Sequence, residues 1–506
     1  MVKRLFFFLV PIHKEEYKKF LAMGMMLFLV LFNYNILRAL KDAFIVPNIG
    51  AEAISFIKMY IVTPAAILFA ITYAHLTNIM DFNRIFYLLS SFFLVFFLVF
   101  GFILYPYRIE IHPSSEQIEY LINYKFSIAS YTIHLDHFKW FFKLYGKWLY
   151  TIFYIFAELW GSAMIFMLYW QFANRITKTE EAKRLYPMCG FIGHIGSTLG
   201  GIFVQYFASQ TVQKFVLFGI EYDNQLVIST MLTASLFTVF YMCLFFYMTH
   251  YVVTHKIYIT KAKKPGELKT KISLSESFKI IFSSKYLGLL IILIFSYGMS
   301  INIIEGVWKA EAKKIYPTTT SFSDFTGNVL AWTGVCSMIF MLLSAHILRI
   351  FGWFVGAMFT PIMMLITGGV FFAFVVFHHH LAEFFSNWNI NILATAVILG
   401  TIQNVLTKGT KYSLFDATKE MAYIPANEHI KSKGKAAVDV VGARGAKSGG
   451  AFVQSLLFML FPSATYSTIA PYLMIVFVIV VLIWIYGVRK LNSAYEYRLS
   501  RAHGDS

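Results

Sequence analysis

The chain has 506 residues, of which 58% are hydrophobic and only 14% are charged, and its mean hydropathy is +0.64. So few charges cannot cover a surface in water, so the composition excludes a soluble enzyme and indicates an integral membrane protein. The formal net charge of +17 would suit nucleic acid, but no folded basic soluble domain is visible, and we expect no nucleic-acid partner.

Apolar stretches of roughly 20 residues, the length that crosses a bilayer, recur along the whole chain and predict about twelve spanning helices. They are uniformly apolar, whereas the strands of a membrane barrel alternate, so an all-α protein is expected. In chain order the predicted spans are 20–40, 56–77, 85–105, 149–172, 188–208, 225–247, 286–305, 328–348, 353–377, 391–407, 436–461 and 471–487.

Lysine and arginine concentrate on alternate loops between these spans, above all in 256–285 and 411–435. The positive-inside rule therefore predicts that both termini are cytoplasmic, and the basic loops would also attract anionic membrane lipids. The hydrophilic stretch in the middle divides the spans six plus six. The predicted organisation is a six-helix bundle over 1–254, a basic linker over 255–285, a second bundle over 286–490 and a cytoplasmic tail over 491–506.

Faint internal similarity supports this division. The first span ends Asn-Ile-Leu-Arg at 35–38 and the seventh ends Asn-Ile-Ile-Glu at 302–305, and the stretch 172–201 resembles 415–450 in its charged loop and glycine-rich helix. Parallel repeats of six helices are typical of major-facilitator transporters, which bind substrate near the midplane between the halves. The sequence therefore predicts a major-facilitator-like fold.

Ionisable residues inside the spans or at their ends are candidates for the functional site, because inserting each into the membrane costs at least about 2.5–3.5 kcal/mol. The candidates are Arg38, Lys41, Glu158, Glu305, Lys309, Asp439, Arg444 and Lys447. Several separate cations suit a polyanion, since each can meet a different phosphate oxygen. Structural roles without substrate binding remain open as alternatives. The carboxylates could only neutralise neighbouring cations, and the basic side chains could extend to the membrane surface or anchor in lipid headgroups.

The other motifs do not indicate a nucleotide-binding loop, a metal site or a catalytic site. The stretch 442–450 resembles a phosphate-binding P-loop, but no strand precedes it and Ala446 stands before the lysine. Neither the three cysteines nor the run of histidines at 378–380 has metal-ligand spacing, and no paired acid and base marks a membrane-embedded enzyme. We therefore expect no metal, no cofactor and no enzymatic activity.

Five segments resemble one known family: 37–42 (LRALKD), 157–161 (AELWG), 305–309 (EGVWK), 411–419 (KYSLFDATK) and 447–450 (KSGG). Over nearly its whole length the chain is similar to the nucleotide translocases of obligate intracellular bacteria and plastids. The resemblance implies a twelve-helix carrier of the bacterial inner membrane that typically exchanges host ATP for bacterial ADP. The positions that match its charged transport residues are Lys41, Glu158, Glu305 and Lys447.

The segment before Lys447 departs from the family, which often has glycine where this chain has Ala446. The preceding residues around Arg444 also differ from those of the usual ATP/ADP exchangers. The expected partners are ATP, ADP or other nucleotides, with phosphate as a further candidate. The alternative is proton-coupled uptake of non-adenine nucleotides or of another organic polyanion. We expect Lys41 and Lys447 to bind substrate phosphates from opposite halves, and Trp160, Phe172 or Tyr412 to stack on the base.

Overall fold

A computed structural model describes residues 12–128, 131–210, 215–217, 220–222, 224–253, 284–388, 390–423 and 435–504. Within these ranges, eleven helices are long and apolar enough to cross a membrane, and a further 26-residue helix ends in the apolar stretch Ser448–Leu460. These long helices are α1 (Tyr17–Ile45), α2 (Ala53–Ile79), α3 (Phe82–Leu104), α4 (Trp148–Ile176), α5 (Thr179–Ser209), α6 (Gln225–Val252), α7 (Lys285–Ile315), α8 (Thr319–Ser344), α9 (His346–Val376), α10 (Ile392–Met421), α11 (Lys435–Leu460) and α12 (Tyr466–Gly504).

The predicted all-α membrane architecture is confirmed, but many of the helices are longer than predicted. α1 continues to Ile45 rather than residue 40, and α7 continues to Ile315 rather than residue 305. Lys313 and Lys314, which we expected on a loop, therefore lie in the last turn of α7. Side chains inside a bundle contact other helices rather than lipid, so helical segments with charges can extend beyond the apolar window.

Stretches of π-helix interrupt several spans, and two of them lie beside charged residues. The π-helical stretch Gly161–Tyr169 in α4 begins three residues after Glu158, and Lys411–Phe415 in α10 begins three residues after Lys408. Such wide turns are frequent at functional sites, because they reorient neighbouring side chains and weaken the regular hydrogen-bond ladder.

Glycine allows close packing between the halves of the chain at the contact of α5 with α8. A Cβ at Gly201 would lie 2.6 Å from the Gly327 carbonyl oxygen, and one at Gly334 would lie 2.8 Å from the Thr198 nitrogen. The other face of α5 packs on α1, where a Cβ at Gly196 would lie 2.5 Å from the Phe28 carbonyl oxygen. Glycines on two faces of α5 therefore allow close packing with its neighbouring helices.

No loop separates α8 from α9, because the backbone is helical over Thr319–Val376 except at Gly352, near the beginning of α9. Gly352 has a φ of +75°, a conformation that side chains other than glycine rarely adopt. The helical run is therefore kinked at a glycine, with no loop of its own at this point.

We call the end of the bundle where α1 ends and α2 begins the far end, since the first and last helices have their outer termini at the opposite end. The α3–α4 connection lies at the far end. It comprises Arg108–Ile111, Ser115–Asn123, the antiparallel strands β1 (Lys125–Ile128) and β2 (Tyr131–His134), the 3₁₀ turn Leu135–Phe138, and Lys139–Gly146. A second hairpin, β3 (Phe215–Leu217) with β4 (Ile220–Tyr222), joins α5 to α6 at the same end.

Contacts between the two halves close the far end. Asn48 Nδ2 donates to Thr319 Oγ1 at 3.1 Å, and the Tyr466 backbone N–H donates to Glu52 Oε1 at 3.3 Å. The α3–α4 connection reaches the end of α11, where His137 Nδ1 lies 2.6 Å from the Met459 carbonyl oxygen. The predicted linker over 255–285 lies almost entirely outside the described residues.

Candidate functional site

α1 positions three charged side chains within two turns, near the far end of the bundle. Arg38 and Asp42 are four residues apart, so they share the face of the helix that meets α7, whereas Lys41 faces α4. The Lys41 Nζ lies 2.9 Å from Glu158 Oε1 and 3.1 Å from Asp42 Oδ1, and it stands 3.9 Å from the centre of the Tyr154 ring. Lys41 is thus held by two carboxylates and an aromatic face.

α7 supplies two charges at the same spacing, Glu305 and Lys309. Glu305 Oε1 accepts from Arg38 Nη2 at 3.2 Å and lies 2.6 Å from Lys408 Nζ of α10. Its other oxygen lies 3.8 Å from Lys58 Nζ of α2. Lys309 Nζ donates to Asp42 Oδ2 at 2.8 Å. Five helices therefore meet through one charged cluster, which we call the central network.

Each of the two ion pairs between α1 and α7 joins residues at equivalent positions of the internal repeat. Arg38 and Glu305 are 267 positions apart in the chain, and so are Asp42 and Lys309. Both pairs thus join equivalent positions of the two halves, as expected where a pseudo-twofold axis along the bundle passes between parallel helices. Like charges would repel at such positions, and the sequence has opposite charges there, with the order reversed between α1 and α7.

Positive charge exceeds negative charge in the central network. In the described part of the chain it contains three carboxylates, Asp42, Glu158 and Glu305, and the following five cations: Arg38, Lys41, Lys58, Lys309 and Lys408. The Lys41 and Lys309 side chains are only 4% and 5% exposed. Buried charges are retained only when they are paired, so the surplus cations favour an anionic ligand.

The structure brings five of the predicted site residues together: Arg38, Lys41, Glu158, Glu305 and Lys309. Lys309 is buried in the network, so the interpretation of it as a headgroup anchor is wrong. Asp439, Arg444 and Lys447 lie on α11, but their side chains are outside the described part of the structure. A role in substrate binding for any of the eight candidates remains a prediction.

Sequence reasoning missed three members of the network: Asp42, Lys58 and Lys408. Asp42 and Lys408 lie just beyond the ends predicted for their helices, at residues 40 and 407, and Lys58 lies in the first turn of its predicted span. For Asp42, the sequence did contain a signal: on a longer first helix, its spacing of four residues from Arg38 places both on one face.

Of the three aromatic residues proposed to stack a base, one is accessible. Trp160 is 1% exposed and packs against Phe93, and Phe172 is 4% exposed, so both belong to the core. Tyr412 is 41% exposed and lies on α10 beside Lys411. The stacking prediction is therefore wrong for Trp160 and Phe172 and remains a prediction for Tyr412.

Solved structures with the same overall fold are transporters. A bacterial homologue of the iron transporter ferroportin, in an inward-facing state, aligns over 95% of this chain and 100% of its own with a TM-score of 0.60 at 12% identity. A D-xylose-proton symporter aligns over 92% of this chain and 97% of its own with a TM-score of 0.52 at 12% identity. The chain therefore shares the multi-pass helical fold of these two proteins.

The family is defined by sequence. A profile of the TLC ATP/ADP transporter family matches residues 1–495, so the chain belongs to this family. ADP,ATP carrier protein 3 of Rickettsia conorii is 42% identical over 495 residues, 96% of each chain. ADP,ATP carrier protein 1 of Rickettsia bellii is 43% identical over 488 residues, 96% of this chain and 95% of its own. The resemblance identified from the five segments is confirmed.

Proposed function

We propose that this transporter exchanges nucleotides, ATP against ADP, across the bacterial inner membrane by alternating access. The observation that supports this most is the central network, where surplus cations from both halves converge on one buried point. A polyphosphate chain offers several oxygens to such a cluster, and charge-assisted hydrogen bonds are the strong ones. The names of the relatives, ADP,ATP carrier proteins, point to the same substrates.

The central network is accessible from one direction. The far end is closed by the contacts at Asn48, Glu52 and His137. The side chains of Lys58 and Glu158 are nevertheless 20% and 25% exposed. We infer that in this state the site is open to the end that holds the termini, which the basic loops assign to the cytoplasm. This arrangement corresponds to the inward-facing stage of an alternating-access cycle, and the far end is periplasmic.

Exchange follows from competition between carboxylates and substrate. In the empty carrier, Glu305 and Asp42 hold the cations of the opposite half, so the ion pairs between α1 and α7 join the halves. A bound polyphosphate replaces those carboxylates as the partner of the cations. Binding therefore changes which contacts hold the halves together, and a ligand that interacts differently with two states shifts the balance between them.

Counterflow in proteoliposomes tests the proposal. Purified protein is reconstituted with internal ADP, and uptake of labelled ATP, GTP, CTP, UTP and their diphosphates is measured with and without a proton gradient. We expect rapid uptake of at least one nucleotide that depends on internal nucleotide and is insensitive to the gradient. Uptake that needs the gradient and ignores internal nucleotide would establish proton-coupled import instead. No uptake of any nucleotide would exclude nucleotide transport.

Topology is a separate prediction. Reporters fused after Lys264 and at the C-terminus should both report the cytoplasm, because they follow basic loops. A reporter within 114–136, in the α3–α4 connection, should report the periplasm. Paired alkaline phosphatase and fluorescent protein fusions measure this, and a cytoplasmic signal from the third position would contradict the twelve-span orientation.

A further inference from the structure

A small cavity lies between α2, α7 and α11, adjoining the central network on Glu305 and Lys309. Its volume is about 250 Å³ including its mouth. The lining residues that matter are Ser55, Lys58, Asn302, Glu305, Gly306, Lys309, Gln454 and Tyr466. Most are polar or charged, although all come from membrane-spanning helices or, for Tyr466, from the beginning of one. A polar cavity at this depth is expensive to keep and is therefore a candidate binding site.

The side-chain amide of Gln454, which lines this cavity, has an N–H₂ group without a hydrogen-bond partner in the described part of the chain. Its side chain is 2% exposed, and its Oε1 accepts a hydrogen bond from the Tyr466 hydroxyl at 2.5 Å. Its Nε2 finds no hydrogen-bond partner within the described part of the chain. A buried amide N–H₂ without a partner is costly, so a ligand that accepts hydrogen bonds from it would be stabilised.

Gly306 lets Gln454 and Tyr466 approach α7. A Cβ at position 306 would lie 2.6 Å from Gln454 Oε1 and still closer to the Tyr466 hydroxyl. Any larger residue would push α11 away or fill the cavity. The absence of a side chain at Gly306 is therefore required for Gln454 and Tyr466 to lie where they do.

Lys58 is the most weakly paired cation around the cavity. It donates to the neutral Asn302 Oδ1 at 2.8 Å, and its nearest carboxylate oxygen, on Glu305, is 3.8 Å away. Lys309, by contrast, is bound to Asp42 at 2.8 Å. An anion in the cavity would gain Lys58 without first breaking a close ion pair, and it would meet the free N–H₂ of Gln454 on the opposite side.

We propose that this cavity binds the terminal phosphate of the substrate, with Lys58 and Gln454 as residues that distinguish nucleoside triphosphates from diphosphates. The inference rests on the proposed nucleotide exchange and deepens it. The cavity lies next to the closed far end, so it would receive the end of a bound nucleotide that points away from the cytoplasm. Ammonium and amide donors select the polyphosphate for that end.

The test compares affinities for ATP, ADP and AMP, or for the corresponding phosphates of whichever base the counterflow panel selects. Inhibition constants are measured against labelled exchange and by calorimetry in detergent. We expect Lys58→Gln to weaken triphosphate binding by about tenfold to a hundredfold, the loss typical of one charge-assisted contact, with a smaller loss for diphosphate and none for monophosphate. Gln454→Leu should change the same ratio in the same direction.

Two further variants keep the test decisive. Lys490→Gln removes an exposed lysine from α12 and should leave all three affinities unchanged. Gly306→Ala fills the cavity without removing a charge and should also lower the preference for triphosphate, so it decides the question if Lys58→Gln does not fold. An equal loss for all three phosphates, or none, overturns the subsite. Such a result would leave nucleotide exchange by the wild-type protein intact, so the two proposals fail separately.

Discussion

Asp42→Asn is expected to destabilise the protein by about 3–5 kcal/mol, the usual cost of removing one partner from a buried ion pair. The change leaves the Lys309 ammonium, 5% exposed, without its carboxylate at 2.8 Å. Lys309→Gln should be nearly as harmful, because Asp42 then retains only the contact with Lys41. Thermal unfolding of the purified protein in detergent measures both effects.

The double variant Asp42→Asn/Lys309→Gln should recover much of this loss, since two neutral groups that can hydrogen-bond replace two charges. Because each single loss is about 3–5 kcal/mol and the double variant should lose less than either, the double-mutant cycle should give a coupling energy of at least about 3 kcal/mol. The pair Lys411 and Asp416 in α10 is the matched control, because its side chains are 29% and 37% exposed and its removal should cost at most about 1 kcal/mol. Additive losses in the Asp42 and Lys309 cycle would show that the two side chains do not stabilise each other.

Glu305→Gln is expected to slow exchange by about a hundredfold or more while binding stays equal or becomes tighter. Glu305 is the shared acceptor of Arg38 and Lys408 and lies near Lys58. When residue 305 is neutral, it no longer competes with bound phosphates for these cations, so substrate release becomes slow. A hundredfold change corresponds to about 2.7 kcal/mol, within the range of one or two charge-assisted contacts.

Single-turnover release and equilibrium binding separate the two effects for Glu305→Gln. Glu158→Gln should behave similarly but more mildly, because Glu158 is 25% exposed and lies 2.9 Å from one network cation, Lys41. Glu383→Gln, an exposed position outside the network, is the control and should exchange normally. Normal exchange by Glu305→Gln, or a loss of affinity as large as the loss of rate, would contradict this role for the carboxylate.

The sequence was sufficient to predict the helical membrane fold because each span leaves a long apolar run. It also indicated Arg38, Lys41, Glu158, Glu305 and Lys309, because charges are conspicuous within such runs. The partners of these residues were not predictable in the same way. Which carboxylate meets which cation depends on how α1, α7 and α10 pack, and that arrangement leaves no local pattern.

Two of the missed members of the network, Asp42 and Lys408, have a common physical cause. A window of about 20 residues measures the hydrocarbon thickness, whereas α1 and α10 have 29 and 30 residues. Asp42 and Lys408 lie in the part of a helix that the window does not count, and they can be charged because other helices surround them. Gln454 was equally invisible, since a single amide in an apolar helix is unremarkable until its neighbours are known.

The reversed charges at equivalent positions of α1 and α7 constrain how the two halves can have diverged. In an assembly of two identical first halves, Arg38 would face Arg38 and Asp42 would face Asp42 across the axis, and both layers would repel. Such an assembly would lack both ion pairs between the halves. In this chain each half supplies the counter-ions of the other, so neither half can substitute for its duplicate.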